Sequence, residues 1–408
     1  MRATSLLKAI LGLKKTRILD ARVAGDRLDV EVAPALRVAR CAGCGRTAPR
    51  TYDRHRRSWR HLDVGGFKVV LRCTLRRVDC QRCGVTTEMV PWAAPGEWFT
   101  TEFEQLVAYL AQNANKTVVS TLMRIAWPTV GSIIGRVVER LRPGDQLDGL
   151  REIGVDELSY RKHHEYLTVV VDHRRGCVVW AHPGKNAATL AKFFEQLGPA
   201  RCAQLERVSI DMSAAYEKAV RAAAPQTEVV FDRFHVQRLV QDALDQVRRA
   251  EVRRIEEPAA RAALKHTRWA LQKRPWNLTE ADGTRLAMVQ THNRRLYRAH
   301  LLKETLAAIL DRTVTPAARK LREWVSWARR SQLQPFVRAA ATIRSHMGGI
   351  LAFCASGLSN ARVEALNGKA RTITRRSFGF HGPHSLIALL FLCCGGLTLR
   401  PPHAVPHP

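Results

Sequence analysis

The sequence predicts a multidomain α+β protein built in four sections, and three observations carry that prediction. Two C-x-x-C pairs fall within the first hundred residues, beside an alternating stretch suited to strands. Apolar residues then recur at helical spacing from Thr101 to Leu141. Beyond LRPGDQ (Leu141 to Gln146) the pattern changes to short β-rich runs, which give way after about Gln237 to helical periodicity. A chain of 408 residues also exceeds what one hydrophobic core usually organises.

With 66 basic against 36 acidic residues the formal net charge is +30 and the pI about 10.7, and the excess is spread along the chain. Such a charge repels itself unless a polyanion neutralises it, which points to nucleic acid over a long surface. A membrane is the other polyanion. The best span candidate, Ser385 to Leu399, is uncharged but shorter than the ~20 apolar residues a spanning helix needs, and it contains a Gly-Gly pair. The opening MRATSLLKAILGLKKTR interrupts its apolar pattern with Lys8 and has no small-residue cleavage site, so it does not read as a signal peptide. The expectation is a cytoplasmic, nucleoid-associated protein with no membrane partner.

Residues 1–95 are expected to form a zinc-ribbon-like domain. Cys41/Cys44 and Cys80/Cys83 each end on a glycine, Gly45 and Gly84, which permits a tight turn. Four thiolates so placed can close a tetrahedral Zn²⁺ site, and ten cysteines in a cytoplasmic chain suit ligation better than disulfides. The 35 residues between Cys44 and Cys80 exceed the usual gap of roughly 15 to 20, which leaves unligated core cysteines as the alternative. Cys73, inside FKVVLRCTLRRV, is expected to pack in the core.

Pro91, Pro95 and Gly96 mark a boundary, and residues 96–146 read as a helix-turn-helix DNA-binding domain. Its last helix starts near Thr129, with Ser132 and Arg136 on the polar side facing DNA. An ordinary three-helix unit has the same periodicity, and the charge excess favours DNA.

Residues 150–236 alternate as βββαβαβ, and 237–355 read as helical throughout with breaks at prolines such as Pro258, Pro275 and Pro316. Three strand ends carry an acid: Asp156 after EIGV, Asp211 after RVSI and Asp232 after EVVF. Loops at one edge of a rigid sheet are where functional groups converge. A further helix in SNARVEALNGKARTITRR sets Asn360, Glu364, Asn367 and Arg371 on one stripe beside an apolar stripe of Val363, Leu366, Ala370 and Ile373. The apolar stripe can pack on the sheet and present Glu364 to Asp156 and Asp211. Three carboxylates suit Mg²⁺ or Mn²⁺, and a pair of such ions can activate an attacking oxygen and stabilise a leaving one at phosphorus. Arg371 is placed for a DNA phosphate and Asn367 for a water or base, with Lys369, Arg375 and Arg376 as further candidate DNA contacts. The tryptophans Trp269, Trp276, Trp324 and Trp327 could stack on an extruded base, but helix packing is their expected use.

Together, IGVDELSYRKHHEY, SIDMSAAY, FDRFHV with ALDQVRR, YRAHLLKETL and SNARVEALNGKARTITRRSFGF resemble the blocks of insertion-sequence transposases of the ISL-three family. The resemblance runs from the cysteine pairs to the end of the chain. It implies a ribonuclease-H-like catalytic domain over 150–236 and 356–395, interrupted by a helical insertion at 237–355. It further implies a DDE triad of Asp156, Asp211 and Glu364, double-stranded DNA partners in terminal inverted repeats and target DNA, and a homo-oligomer pairing two ends. Asp232 and His235, in D-x-x-H spacing, match a Cys/Asp-x-x-His element of related transposases and so have a supporting role, the alternative being a helix cap. A DNA-binding regulator without chemistry and a different ribonuclease-H-like nuclease are the rival readings.

Overall fold

The computed structural model describes residues 3–142, 144–161, 165–311, 317–358, 361–377, 382–399 and 401. Asn360 of the expected polar stripe, the turn at 162–164 and the break at 313–316 lie outside them. The described residues form two compact units. One runs to Arg142 and takes in His384–Cys393 and the described residues from Leu397 on; the other runs from residue 144 to Pro383 with Cys394–Gly396.

In the first unit, α1 (Ala3–Ile10) precedes a hairpin of β1 (Thr16–Ala24) and β2 (Arg27–Pro34), turned through Gly25 at φ +61°. β3 (Thr51–Arg60), β4 (Lys68–Cys80) and β5 (Gly84–Thr87) complete a sheet ordered β1-β2-β4-β3, with β5 also on β4. Its apolar face buries Val30, Val32, Val69, Leu71 and Leu75, and Trp59 meets Trp92 edge-to-face at 5.5 Å. β3 has no visible alternation because it is an edge strand: in TYDRHRRSWR only Trp59 is buried. Cys73 is packed as expected, and burial pushes its thiol up to about 12.

The helical section is α2 (Thr101–Asn113), α3 (Lys116–Met123) and α4 (Trp127–Leu141). Thr100 and Asn115 cap α2 and α3 through their side chains, and Arg124 ends α3 in the left-handed region at φ 54°. α3 and α4 then turn through 100° across Arg124–Ala126, the geometry of a helix-turn-helix. This section shares a unit with the sheet. Buried His61 ties the two, bonding Thr100 Oγ1 at 2.8 Å and the Leu11 carbonyl at 2.9 Å.

Arg136, expected to face DNA, instead holds two carboxylates of its own unit: Glu97 at 2.7 Å and Glu104 at 2.6 Å. Glu104 is buried and also takes Arg140 at 2.9 Å. A buried carboxylate needs its charge balanced, and that outweighs Arg136's place on the polar face of α4. Glu104→Gln is therefore expected to lower stability by about 1–3 kcal/mol, the order for an unbalanced buried hydrogen-bond network, measured by urea denaturation.

In the second unit, β6 (Glu152–Arg161), β7 (Glu165–Asp172) and β8 (Cys177–Pro183) form an antiparallel meander. α5 (Ala187–Leu197) and α6 (Pro199–Cys202) lead to β9 (Arg207–Ile210), and α7 (Ala214–Ala223) to β10 (Glu228–Phe231). β9 runs parallel to β6, and β10 parallel to β9, giving the order β10-β9-β6-β7-β8. The βββαβαβ order stands, and this mixed sheet fits a ribonuclease-H-like fold.

α8 (Arg233–Arg254) leaves β10 at once, followed by α9 (Pro258–Lys265), α10 (Arg268–Gln272), α11 (Glu280–His292), α12 (Arg294–Leu310), α13 (Ala317–Arg330), α14 (Gln334–Ser345) and α15 (Met347–Ser356). Apolar residues of these helices and of the sheet form one continuous core, from Leu150 through Trp324 to Cys354. α16 (Ala361–Arg376) then returns to β6.

α17 (Pro383–Cys394), placed by the sequence with the acid-bearing section, clusters mainly with the first unit. Leu386, Leu389, Leu390, Phe391 and Leu392 are all buried, Gln112 donates to the Leu392 carbonyl at 2.7 Å, and the Arg142 guanidinium lies 3.9 Å from the Phe391 ring centroid. A helix apolar on every side has to be enclosed. Among the described residues no single helix is long and apolar enough to cross a membrane.

Candidate active site and zinc centre

The four cysteines of the two C-x-x-C pairs meet. Their sulfurs lie within 4.8 Å of one another, and Cys44 Sγ is 3.6 Å from Cys80 Sγ. A tetrahedron with Zn–S of ≈2.3 Å needs sulfurs about 3.7 Å apart. The long gap between the pairs closes because β3 and β4 run out and back within it, and Cys41 bridges to Glu88 just past β5. Gly45 (φ +71°) and Gly84 (φ +69°) make the turns, and Gly43 packs tightly on the cluster, a Cβ there lying 3.2 Å from Cys83 Sγ. The backbone N–H groups of Arg82 and Cys83, aimed at Cys80, hold its thiol down to about 7. The cluster fits a structural zinc ion.

The acids gather in the second unit. Asp156 lies within β6, opposite Val169 of β7, so it does not end a strand as the sequence suggested. What ends there is the partner: β9 pairs with β6 only as far as Gly154, so Asp156 projects beyond the parallel ladder. Asp211 and Asp232 do follow β9 and β10 directly.

α16 brings Glu364, and one glycine permits its approach. A Cβ on Gly154 would fall 2.4 Å from Val363 Cγ2 and 2.8 Å from His173 Nε2, so the helix seats on the bare backbone of β6, two residues before Asp156. Val363, Ala370 and Ile373 are buried, as the apolar stripe requires. Asn367, also buried, donates its amide to Asp156 Oδ2 at 2.5 Å. Gly154→Ala is expected to displace α16, costing about 1–3 kcal/mol as an overpacked contact and reducing any activity that needs Glu364 beside Asp156. Denaturant midpoints and a cleavage assay on the same preparation check it.

Electrostatics report the same convergence. Burial pushes the Asp156 carboxyl up and Asp211's charge adds to it, against the Glu157 N–H at 2.7 Å, His235 and the Asn367 amide. Burial likewise raises Asp211, with His235 and the Ser213 N–H opposing. Glu364 is raised by burial, then by Asp232 and Asp156. Asp232 sits at the N-cap of α8 with no side-chain capping bond, so the helix-cap alternative is not realised; its Oδ2 is 4.0 Å from His235 Nε2.

An open cleft of ≈440 Å³ is lined by Asp156, Glu157, Asp211, His235, Arg371 and Arg375. Glu157 was missed by sequence reasoning, although the adjacent acids of VDE were visible. It lies on the opposite face of β6, its carboxyl raised by burial and by Asp211 and drawn down by a hydrogen bond with the Tyr216 hydroxyl of α7. Lys369 is exposed on α16, and Arg376 is partly buried at its end. Thr129 is half-buried and Ser132 exposed on α4.

The donors are hard oxygens whose charged forms are disfavoured by burial and by one another, a cost that a divalent cation would relieve. Among the described residues the thiols are the one group of three or more ligand atoms within 4.8 Å, so the three carboxylates stand wider than a single tight shell.

Residues 153–390 match the transposase domain of the ISL3 family. The chain belongs to the ISL3 transposase family. The transposase also matches the helix-turn-helix domain of that family over residues 88–138, and over 37–83 the zinc-finger of transposase IS204/IS1001/IS1096/IS1165. It is 39% identical, along its whole length and 99% of the relative's, to the transposase for insertion sequence element IS1557 of Mycobacterium tuberculosis. It is 29% identical, over 87% of its length and 89% of the relative's, to the transposase for insertion sequence element IS1001 of Bordetella parapertussis. The transposase is thus a DNA-binding enzyme with a zinc ribbon, a helix-turn-helix and an α/β domain.

Proposed function

We propose that the transposase binds the terminal inverted repeats of its own insertion sequence in the cytoplasm, cuts there, and joins the freed ends to target DNA through Asp156, Asp211 and Glu364. The observation that carries this reading is a cleft lined by Asp156 and Asp211 together with Arg371 and Arg375, with Asn367 of α16 bonded to Asp156 and Glu364 of the same helix near enough to Asp156 for their charges to interact. Asp156, Asp211 and Glu364 would hold two Mg²⁺ or Mn²⁺ ions, which when bound activate the attacking oxygen and stabilise the leaving oxygen at phosphorus.

The chain's own groups supply the rest. Asn367 fixes the Asp156 carboxylate, so that the acid needs no reorientation on binding. Arg371 and Arg375 are placed to hold a scissile-strand phosphate, and Lys369 and Arg376 extend that basic face. His235 and Asp232 shape the far side of the cleft. Thr129 and Ser132 of α4 are the candidate readers of the DNA ends, with Arg136 supporting the helix from behind. The helices of 237–355 form an insertion in the α/β domain, and two copies pair the two ends.

Incubating labelled, pre-cut end DNA with a supercoiled target plasmid in Mg²⁺ tests the joining step. Label transferred to plasmid is the expected product. Ends bound in a sequence-specific complex but never joined would favour a DNA-binding regulator.

A further inference from the structure

Helix packing was the expected use of the tryptophans in the helical stretch. Trp324 follows it, fully buried with its indole N–H donating to the Leu302 carbonyl at 2.8 Å. Trp276 does not: it is 72% exposed. An indole left in water forgoes a large apolar burial, which calls for a reason.

Trp276 is also not isolated. The Arg274 guanidinium lies 4.6 Å from its ring centroid, ion-pairs with Asp311 and stands 3.6 Å from Glu304. Asp311 offers its other oxygen to Arg233 at 3.3 Å, and the Arg233 guanidinium lies 5.2 Å from the ring of Phe234, itself 40% exposed. One carboxylate thus joins two ring-guanidinium pairs from segments far apart in sequence. Arg233 and Phe234 open α8, Arg274 and Trp276 frame a short 3-10 turn at Pro275–Asn277, and Asp311 follows α12. Arg233 and Phe234 sit in the chain directly between Asp232 and His235.

Rings exposed beside immobilised guanidinium groups are the elements that take single-stranded nucleic acid: bases stack on the rings, and cations meet the backbone. A paired duplex hides its π-faces and cannot use them. We propose that Phe234, Arg233, Arg274 and Trp276 form a stacking site for unpaired DNA bases, holding a strand that has left the duplex beside the cleft. The proposal rests on the cleavage reading for its biological setting. Its chemistry stands on this surface alone.

The test is fluorescence anisotropy of the full-length protein in EDTA, where no cleavage is needed, with three labelled probes of one length: a duplex, a duplex with a single-stranded extension, and a single strand. The wild type is expected to prefer the extended duplex over the blunt one. Trp276→Ala and Phe234→Ala should each weaken binding of the extended probe about ten-fold, the order of one lost base stack, with blunt-duplex affinity unchanged. Trp276→Phe, which keeps a ring, should retain the preference. Unchanged affinity for every probe in both alanine variants would overturn the site, and so would an equal loss on blunt and extended DNA, which would mark a general structural or electrostatic role. A failure of the joining assay leaves this binding result standing, so the two readings fail separately.

Discussion

Asp156→Asn is expected to abolish Mg²⁺-dependent strand cleavage while leaving binding to the element's ends within a few-fold of wild type. The carboxylate is buried deeply enough that its charge is disfavoured, faces the charge of Asp211, and is gripped by Asn367. Asparagine nearly preserves the shape and removes the negative oxygen, so the fold is spared and the hard-cation site loses a ligand. Removal of transition-state charge stabilisation of this kind costs several kcal/mol, and a loss of about 10³-fold or more follows. Asp211→Asn and Glu364→Gln should behave alike, because groups that act as a unit fail as a unit. Gel quantification of nicked product, beside a mobility-shift assay on the same DNA, separates chemistry from binding. Cleavage by Asp156→Asn at wild-type rate would dismiss the triad.

The second large effect is expected at the zinc centre. Replacing Cys41 and Cys44 together by serine removes half of the four-thiol cluster, whose sulfurs are already gathered within 4.8 Å. Structural zinc contributes on the order of 10 kcal/mol to small metal-dependent folds, so the sheet carrying these cysteines should lose cooperative unfolding, and DNA binding should weaken. The α/β unit has its own continuous core and should keep its fold. Metal analysis is expected to return one zinc per wild-type chain and none in the double variant. Wild-type protein free of zinc yet fully folded would remove the idea.

How much of this was legible in the sequence depended on whether a pattern was local. C-x-x-C turns, helical periodicity in α2 to α4 and the βββαβαβ rhythm are written over a few residues each, and all appear in the structure. β1, β2 and β3 were not seen, because strands with one solvated face and arginine-rich edges lack a clean alternation. Asp156, expected at a strand end, lines the cleft from within its strand. Where a partner strand stops is a property of pairing register, which no single segment carries. The role of Gly154 was invisible for the same reason, since only the arrival of Val363 from over two hundred residues away makes a missing Cβ matter. Arg136 and Trp276 erred in opposite directions. Helical position marks Arg136 as a reader of DNA, yet a buried glutamate from α2 claims it; the apolar area of an indole favours the core, yet Trp276 is exposed beside Arg274.

The most direct test of the whole account is to incubate the purified protein with DNA spanning the ends of the element that encodes it, in Mg²⁺ or Mn²⁺ and in EDTA, and to map every cleaved strand to the nucleotide. Metal-dependent breaks at the element's boundaries, leaving 3′-hydroxyl ends and absent in EDTA, are the expected result. Specific binding at those boundaries with no break under any metal would contradict it.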